Sequence, residues 1–272
     1  MEIRDIQACI RARKSVRTYG GALTSEDREK LAAFLQTVEN PFGQAIEFRF
    51  LNAKEHGLSS AVVVGTEDYI AAKVARAPLF ELAYGYGFEA LCLYAQSVGV
   101  GTVMIAGTFN RKAFEKAMEV GEDEVMPLAT PVGYPAEKKS IREKALRKVV
   151  GADKRLPFAE LFFENDFSQP LSSERAGKYA AALEMVRLAP SAVNKQPWRA
   201  VVCGETVHFY KKSAKSLSHD ELDIQMVDMG IALAHFDLTL KDEGTQGRFV
   251  QQDPALDCGD LAYVISYEGR ND

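Results

Sequence analysis

Apolar residues recur along this chain with two spacings, one of three to four residues and one of two. Leu31, Phe34, Leu35 and Val38 fall on one face of a helix that Thr24 or Ser25 can cap and that runs to about Val38. Residues 79–98 are apolar almost throughout and predict a long helix ended by Gly99 and Gly101. A shorter helix is predicted over 109–118, and strands over 46–51 and 61–64. Residues 126–132, apolar and interrupted by proline, run into the turn signal Gly133-Tyr134-Pro135.

Residues 137–155 are rich in Lys, Arg and Glu and read as a solvated connector, helical in part. A second round of elements follows. Ser172 or Ser173 can cap a helix that reaches Leu188 and stops before Pro190. Strands are expected over 199–203 and 206–210 with Gly204-Glu205 at the turn, then a long helix over 222–243 ending at Gly244, then a strand over 261–267.

The two rounds superpose. Leu23-Thr24-Ser25-Glu26 matches Leu171-Ser172-Ser173-Glu174 at a separation of 148 residues. Pro41 pairs with Pro190 and Phe48-Arg49 with Trp198-Arg199, after two single-residue slips. Gly87 precedes Gly101 by 14 residues, and Gly230 precedes Gly244 by the same 14. Each match alone is cheap, but their shared order points to a duplicated unit fused into an internal pseudo-dimer, with halves at 1–155 and 156–272.

Composition narrows the function classes. A formal net charge of −5 over 272 residues gives no basic field for nucleic acid or anionic lipid. Cys9, Cys92, Cys203 and Cys258 form no CxxC pair, and His56, His208, His219 and His235 lack ligand spacing, so neither a disulfide framework nor a metal site is expected. The opening residues resemble no signal peptide, and no apolar run reaches the ~18 residues of a membrane span. The expectation is a cytoplasmic protein with no membrane or nucleic-acid partner.

Two segments carry candidate chemistry. Arg13-Lys14-Ser15-Val16-Arg17 sets three cations around a hydroxyl, a donor set suited to a phosphate dianion; a solvated basic helix end is the plain alternative. Ala189-Pro190-Ser191-Ala192-Val193-Asn194-Lys195-Gln196-Pro197-Trp198 holds polar side chains on proline-stiffened backbone, able to meet the polar edge of a planar ligand. Here the alternative is an ordinary connecting loop, and Trp198 itself reads as core of the next strand. Gly85-Tyr86-Gly87-Phe88-Glu89-Ala90 fits the GxGxxA dinucleotide pattern but lies inside a helical stretch rather than after a strand, so close helix packing explains it better. No Walker-type loop, GxSxG elbow or paired-carboxylate arrangement is present.

With those two motifs, the sequence resembles the nitroreductase family of FMN enzymes. The segment 99–107, the Val132–Pro135 turn and Lys154-Arg155-Leu156-Pro157 match later family segments. The resemblance implies an α+β fold, here duplicated into two halves each of antiparallel sheet and helices, with FMN between subunits. It implies that Arg13, Lys14, Ser15 and Arg17, joined by Arg155, hold the phosphate. It places Asn52 at the flavin ring, the Ala106 and Gly107 amides near the ring's reactive nitrogen, and Pro190, Ser191 and Asn194 over the ring from the other half.

Each half has kept one motif and lost the other. Positions 148 beyond Arg13, Ser15 and Arg17 hold Leu161, Phe163 and Asn165, and positions 149 before Ser191 and Asn194 hold Phe42 and Ala45. A single complete site per chain is therefore expected. The resemblance further implies NAD(P)H as reductant, a small-molecule acceptor and ping-pong turnover, with the flavin rather than a side chain as the catalytic group. Dehalogenation or dehydrogenation on the same fold, a non-catalytic FMN-binding role, and self-association beyond the pseudo-dimeric monomer stay open.

Overall fold

Each half of the chain folds one sheet onto one long buried helix, and the two helices pack on each other. The computed structural model describes residues 3, 5–138, 140, 143, 149, 151–212 and 222–270. His219 and most of 139–150 lie outside the described residues, so the reading of 137–155 as connector is only partly covered.

The first half contributes α1 (Ile6–Ala12), β1 (Tyr19–Gly21), α2 (Ser25–Leu35), β2 (Ile46–Asn52), α3 (Ala53–His56), β3 (Asp68–Ala75) and α4 (Phe80–Ser97). It continues with β4 (Gly101–Thr102), α5 (Arg111–Met118), β5 (Glu124–Val125) and β6 (Ala129–Pro135). Its strands run in the order β1-β6-β3-β2, with β4 on β6 and β5 on β3, all antiparallel. The second half contributes α6 (Phe158–Leu161), β7 (Phe162–Glu164), α7 (Ala180–Leu188), β8 (Trp198–Cys203), β9 (Thr206–Lys212), α8 (Ile224–Asp242), β10 (Gly247–Val250) and β11 (Leu261–Gly269). Its order is β10-β11-β9-β8-β7, and β7 runs parallel to β8, a departure from the antiparallel expectation.

Most predicted elements occur where the periodicity put them. Thr24 caps α2 by accepting from the Asp27 amide, and Gly99 and Gly244, both at positive φ, follow the ends of α4 and α8. Four expectations need correction. Residues 61–64 make only a bridge from Val64 to Thr18; the strand is β3, central and buried on both faces, so it shows no alternation to read. Gly133-Tyr134-Pro135 is not a turn but the end of β6, where a side chain at 133 would press on the Tyr19 ring 3.0 Å away. The helix after Ser172 begins only at Ala180, behind a turn and a short 3-10 segment, because Gly177 sits at φ +55°.

The fourth correction concerns the repeat. A Cβ on Gly85 would overlap the Val227 carbonyl oxygen, and a Cβ on Gly230 would overlap the Leu82 carbonyl oxygen. These two contacts are reciprocal: 85 and 230 differ by 145, as do 82 and 227. On the duplication reading Gly85 rather than Gly87 therefore answers to Gly230, while Gly87 faces the Ile46 side chain on β2. Both long helices are buried almost all round, so their backbones can approach this closely only where a side chain is missing.

Candidate functional site

The basic cluster begins where α1 ends. Arg13 is the C-cap of α1, and the chain then runs extended beside β4, with the Val16 amide donating to Thr102 O at 2.9 Å. A side chain at Gly101 would strike Val16, so the glycine lets the two segments touch. Further along, the Val64 amide donates to Arg17 O at 2.9 Å, and the Ser60 hydroxyl donates to Thr108 O at 2.8 Å. Residues 60–64 therefore link the basic segment to the loop that carries Ala106 and Gly107.

That loop is pinned from behind. Ile105 and Ala129 exchange backbone hydrogen bonds of 2.9 and 3.1 Å. The Arg111 guanidinium donates to Ala106 O at 2.7 Å, Met126 O at 2.5 Å and Pro127 O at 3.1 Å. With their carbonyl side fixed, the Ala106 and Gly107 amides donate to no described residue, and the space a Gly107 Cβ would occupy is open.

Arg13 is the most constrained member of the cluster. Its side chain is 6% exposed, and its Nε donates to Glu89 Oε1 at 3.1 Å in the middle of α4. The same oxygen lies 2.8 Å from His235 Nε2 on α8, and His235 Nδ1 lies 2.8 Å from Met185 O on α7. Burial works against ionisation of Glu89, yet Arg13 and His235 together hold its carboxyl below the usual range. The two Nη groups of Arg13 meet no acceptor among the described residues. Among the described residues, exposed Lys14 has no ion pair and the Ser15 hydroxyl has no partner.

The loop from the second half is strained. Val193, Asn194 and Gln196 all have positive φ, at 46°, 57° and 49°, which is costly for non-glycine residues and most so for a β-branched valine. Three anchors hold it. The Ala192 amide donates to both oxygens of Asp228, at 3.0 and 3.1 Å, and burial pushes that carboxyl up to about 8. The Gln196 amide donates to Ser191 Oγ at 2.9 Å, leaving the hydroxyl proton of Ser191 available. The Asn194 Nδ2 group donates to Gly151 O and Lys154 O at 2.8 and 3.0 Å.

Arg155 sits against this loop, with Nη1 3.4 Å from Asn194 Oδ1. Its guanidinium also donates to the carbonyls of Leu188, Ala152 and Lys154, so it staples the connector to the end of α7. Asn52 caps α3 through its Oδ1 and bonds to none of the other predicted residues. Pro190 precedes the loop and is partly buried. The two halves meet at the site: Met104 packs on the second half's core, while Ala192 and Ala106 pack on the first half's.

Sequence reasoning passed over Glu89, His235, Asp228 and Arg111. Three of them carried a legible signal, since Glu89, Asp228 and His235 interrupt otherwise apolar stretches of long helices. A polar group buried there needs a partner. Among the described residues, no group of three or more His, Cys, Asp or Glu could hold a metal ion, and no helix is long and apolar enough to cross a membrane. A cleft of about 520 Å³ lined by Phe34, Val38, Tyr86 and Leu238 contains none of the predicted residues.

Comparison with known proteins fits this geometry. No curated protein matches the sequence. Among solved structures, a Thermotoga maritima protein described as a putative nitroreductase matches with a TM-score of 0.64 at 18% identity, over 99% of this chain and 94% of that one. A Parabacteroides distasonis protein described as a putative NADH dehydrogenase/NAD(P)H nitroreductase matches at TM-score 0.42 and 21% identity, over 50% of this chain and 90% of that one. A Clostridium difficile FMN-dependent nitroreductase matches at TM-score 0.41 and 15% identity, over 48% of this chain and 88% of that one. The family described as "Putative TM nitroreductase" matches residues 5–240, and the chain belongs to that nitroreductase family.

Proposed function

We propose that the chain is an FMN-dependent oxidoreductase that binds one flavin between two copies of a duplicated unit, residues 1–155 and 156–272, and is reduced by NAD(P)H. The observation that carries the reading is Arg13, a buried guanidinium whose Nε is tied to Glu89 while neither Nη group meets an acceptor among the described residues. A buried cation with unused donors calls for an anion. Lys14 and Ser15 stand beside it, and Arg17 completes the cluster. The donor chemistry fits a phosphate dianion.

On this reading, Arg13, Lys14, Ser15 and Arg17 hold the phosphate, and Arg155 and Asn194 shape the loop that covers the ring. The Ala106 and Gly107 amides would offer donors to a bound flavin ring, and Asn52, Pro190 and Ser191 would complete its surroundings. The flavin supplies hydride acceptance and donation, which explains the lack of an acid–base pair among the site residues. The reciprocal Gly85–Val227 and Leu82–Gly230 contacts support the duplication. Ping-pong turnover, with reductant and small acceptor binding in turn, would give parallel lines in double-reciprocal plots.

Anaerobic addition of NADH or NADPH to FMN-loaded protein tests the reaction. Bleaching of the flavin absorbance, reversed by an acceptor, is expected with at least one of the two. Bound FMN that neither nucleotide bleaches would leave a flavin-binding protein and remove the oxidoreductase.

A further inference from the structure

The Arg13–Glu89–His235 cluster is more elaborate than packing requires. Its three members come from three elements: the basic segment after α1, the centre of α4, and the centre of α8 in the other half. All three are almost fully enclosed, with Glu89 at 0% and His235 at 1% exposed. Both hydrogen bonds converge on Glu89 Oε1, while Oε2 is buried with no partner. A carboxylate used by one oxygen only is a poor way to stabilise a core, because a buried ion pair seldom exceeds the stability of an apolar replacement.

The arrangement does fix a direction. Glu89 takes Arg13 by the Nε edge, at 3.1 Å, and leaves the Nη1 and Nη2 edge unused. Glu89 is in turn held by His235 Nε2, and His235 by Met185 O through Nδ1. The guanidinium is thereby oriented before any ligand arrives, which lowers the ordering cost of binding an anion bidentately.

We propose that Glu89 and His235 are positioning residues for the cofactor's phosphate, acting through Arg13; this rests on the flavin reading above. Phosphate recognition then depends on both halves of the chain, since His235 acts on Arg13 through Glu89, across the α4–α8 contact. The ring and ribityl chain are not served by this cluster, so its loss is felt by FMN and not by riboflavin.

The test is titration of the apoprotein with FMN and with riboflavin, followed by flavin fluorescence. The wild type is expected to prefer FMN. Glu89→Gln is expected to lower FMN affinity about tenfold or more while leaving riboflavin affinity unchanged. His235→Leu is expected to do the same, and His235→Gln, which keeps an N–H near the Nε2 position, to restore most of the preference. In an Arg13→Gln background, Glu89→Gln should have no further effect on FMN. The histidine pair keeps the test decisive if Glu89→Gln does not fold. Equal losses for FMN and riboflavin, or no loss for either, would overturn the positioning role while leaving the flavin site intact. A wild type that binds neither ligand would instead remove the flavin reading itself, and this inference with it.

Discussion

On the duplication reading, the α4–α8 contact separates two candidate crevices of opposite character. To one belong Arg13 to Arg17, the amides of Ala106 and Gly107, which donate to no described residue, and the strained loop at Ser191 to Asn194. In its counterpart, Phe42 stands where a shift of 149 puts the partner of Ser191, and Phe249 where a shift of 145 puts the partner of Met104. Their rings lie 5.5 Å apart, and each packs on a further ring, Tyr86 at 6.1 Å and Tyr267 at 5.3 Å. Leu161, in place of Arg13, is fully buried, and Phe163, in place of Ser15, packs against Phe167 at 5.2 Å. On that reading the first crevice carries cations and strained backbone, and the second carries aromatic contacts that need no ligand. That reading divides function and stability between the two copies.

The largest effect is expected where both crevices share a foundation. Gly230→Val drives a side chain into the Leu82 backbone, which cannot yield, and should cost about 3 kcal/mol or more in urea unfolding. Gly87→Ala meets side-chain ends rather than backbone, Ile46 Cδ1 at 2.6 Å and Val38 Cγ1 at 3.3 Å, and should cost about 1 kcal/mol. Equal costs would undo the pairing of Gly85 with Gly230.

Next comes the anchor of the strained loop. The Asp228 carboxyl sits at about 8 in the folded protein against 3.8 ordinarily, so the folded state binds the extra proton between those values. Stability from this group is full below pH 4, falls as pH rises through the window and levels off above 8. At 1.36 kcal/mol per unit, its contribution declines by about 2–3 kcal/mol from pH 5 to 7. Asp228→Asn should flatten that slope in urea midpoints measured across pH; an unchanged slope would assign it to other groups.

A smaller effect separates the crevices directly. Arg17→Ala should weaken FMN binding tenfold to a hundredfold, the worth of a charge-assisted hydrogen bond at about 1.5–3 kcal/mol. Phe163→Leu, in the aromatic counterpart, should leave FMN affinity unchanged. The least is expected of Lys14→Gln: a loss of a few-fold in FMN affinity that fades with added salt, as for any exposed charge, and no change in stability.

Legibility in the sequence followed the physics of each region. The long helices, the β8–β9 hairpin and the caps at Thr24, Gly99 and Gly244 were readable because period and turn chemistry are local. β3 was not, since a strand buried on both faces loses its alternation, and Gly133 misled because a close approach and a turn call for the same residue. At the site, the basic cluster and the Pro-Ser…Asn loop were visible as composition. What each side chain does was less so. Arg155 and Asn194 spend hydrogen bonds on backbone carbonyls, and Arg13 spends one on Glu89, partners that spacing alone cannot reveal.

On the proposed reading one crevice holds a flavin and the other is closed by the Phe42 and Phe249 rings. The flavin-to-chain ratio of protein saturated with FMN and freed of excess, from absorbance at the flavin and protein bands, tests this most directly. One flavin per chain is the predicted value, and it should stay at one when Phe42 and Phe249 are both replaced by alanine. Two flavins per chain, or none, would contradict it.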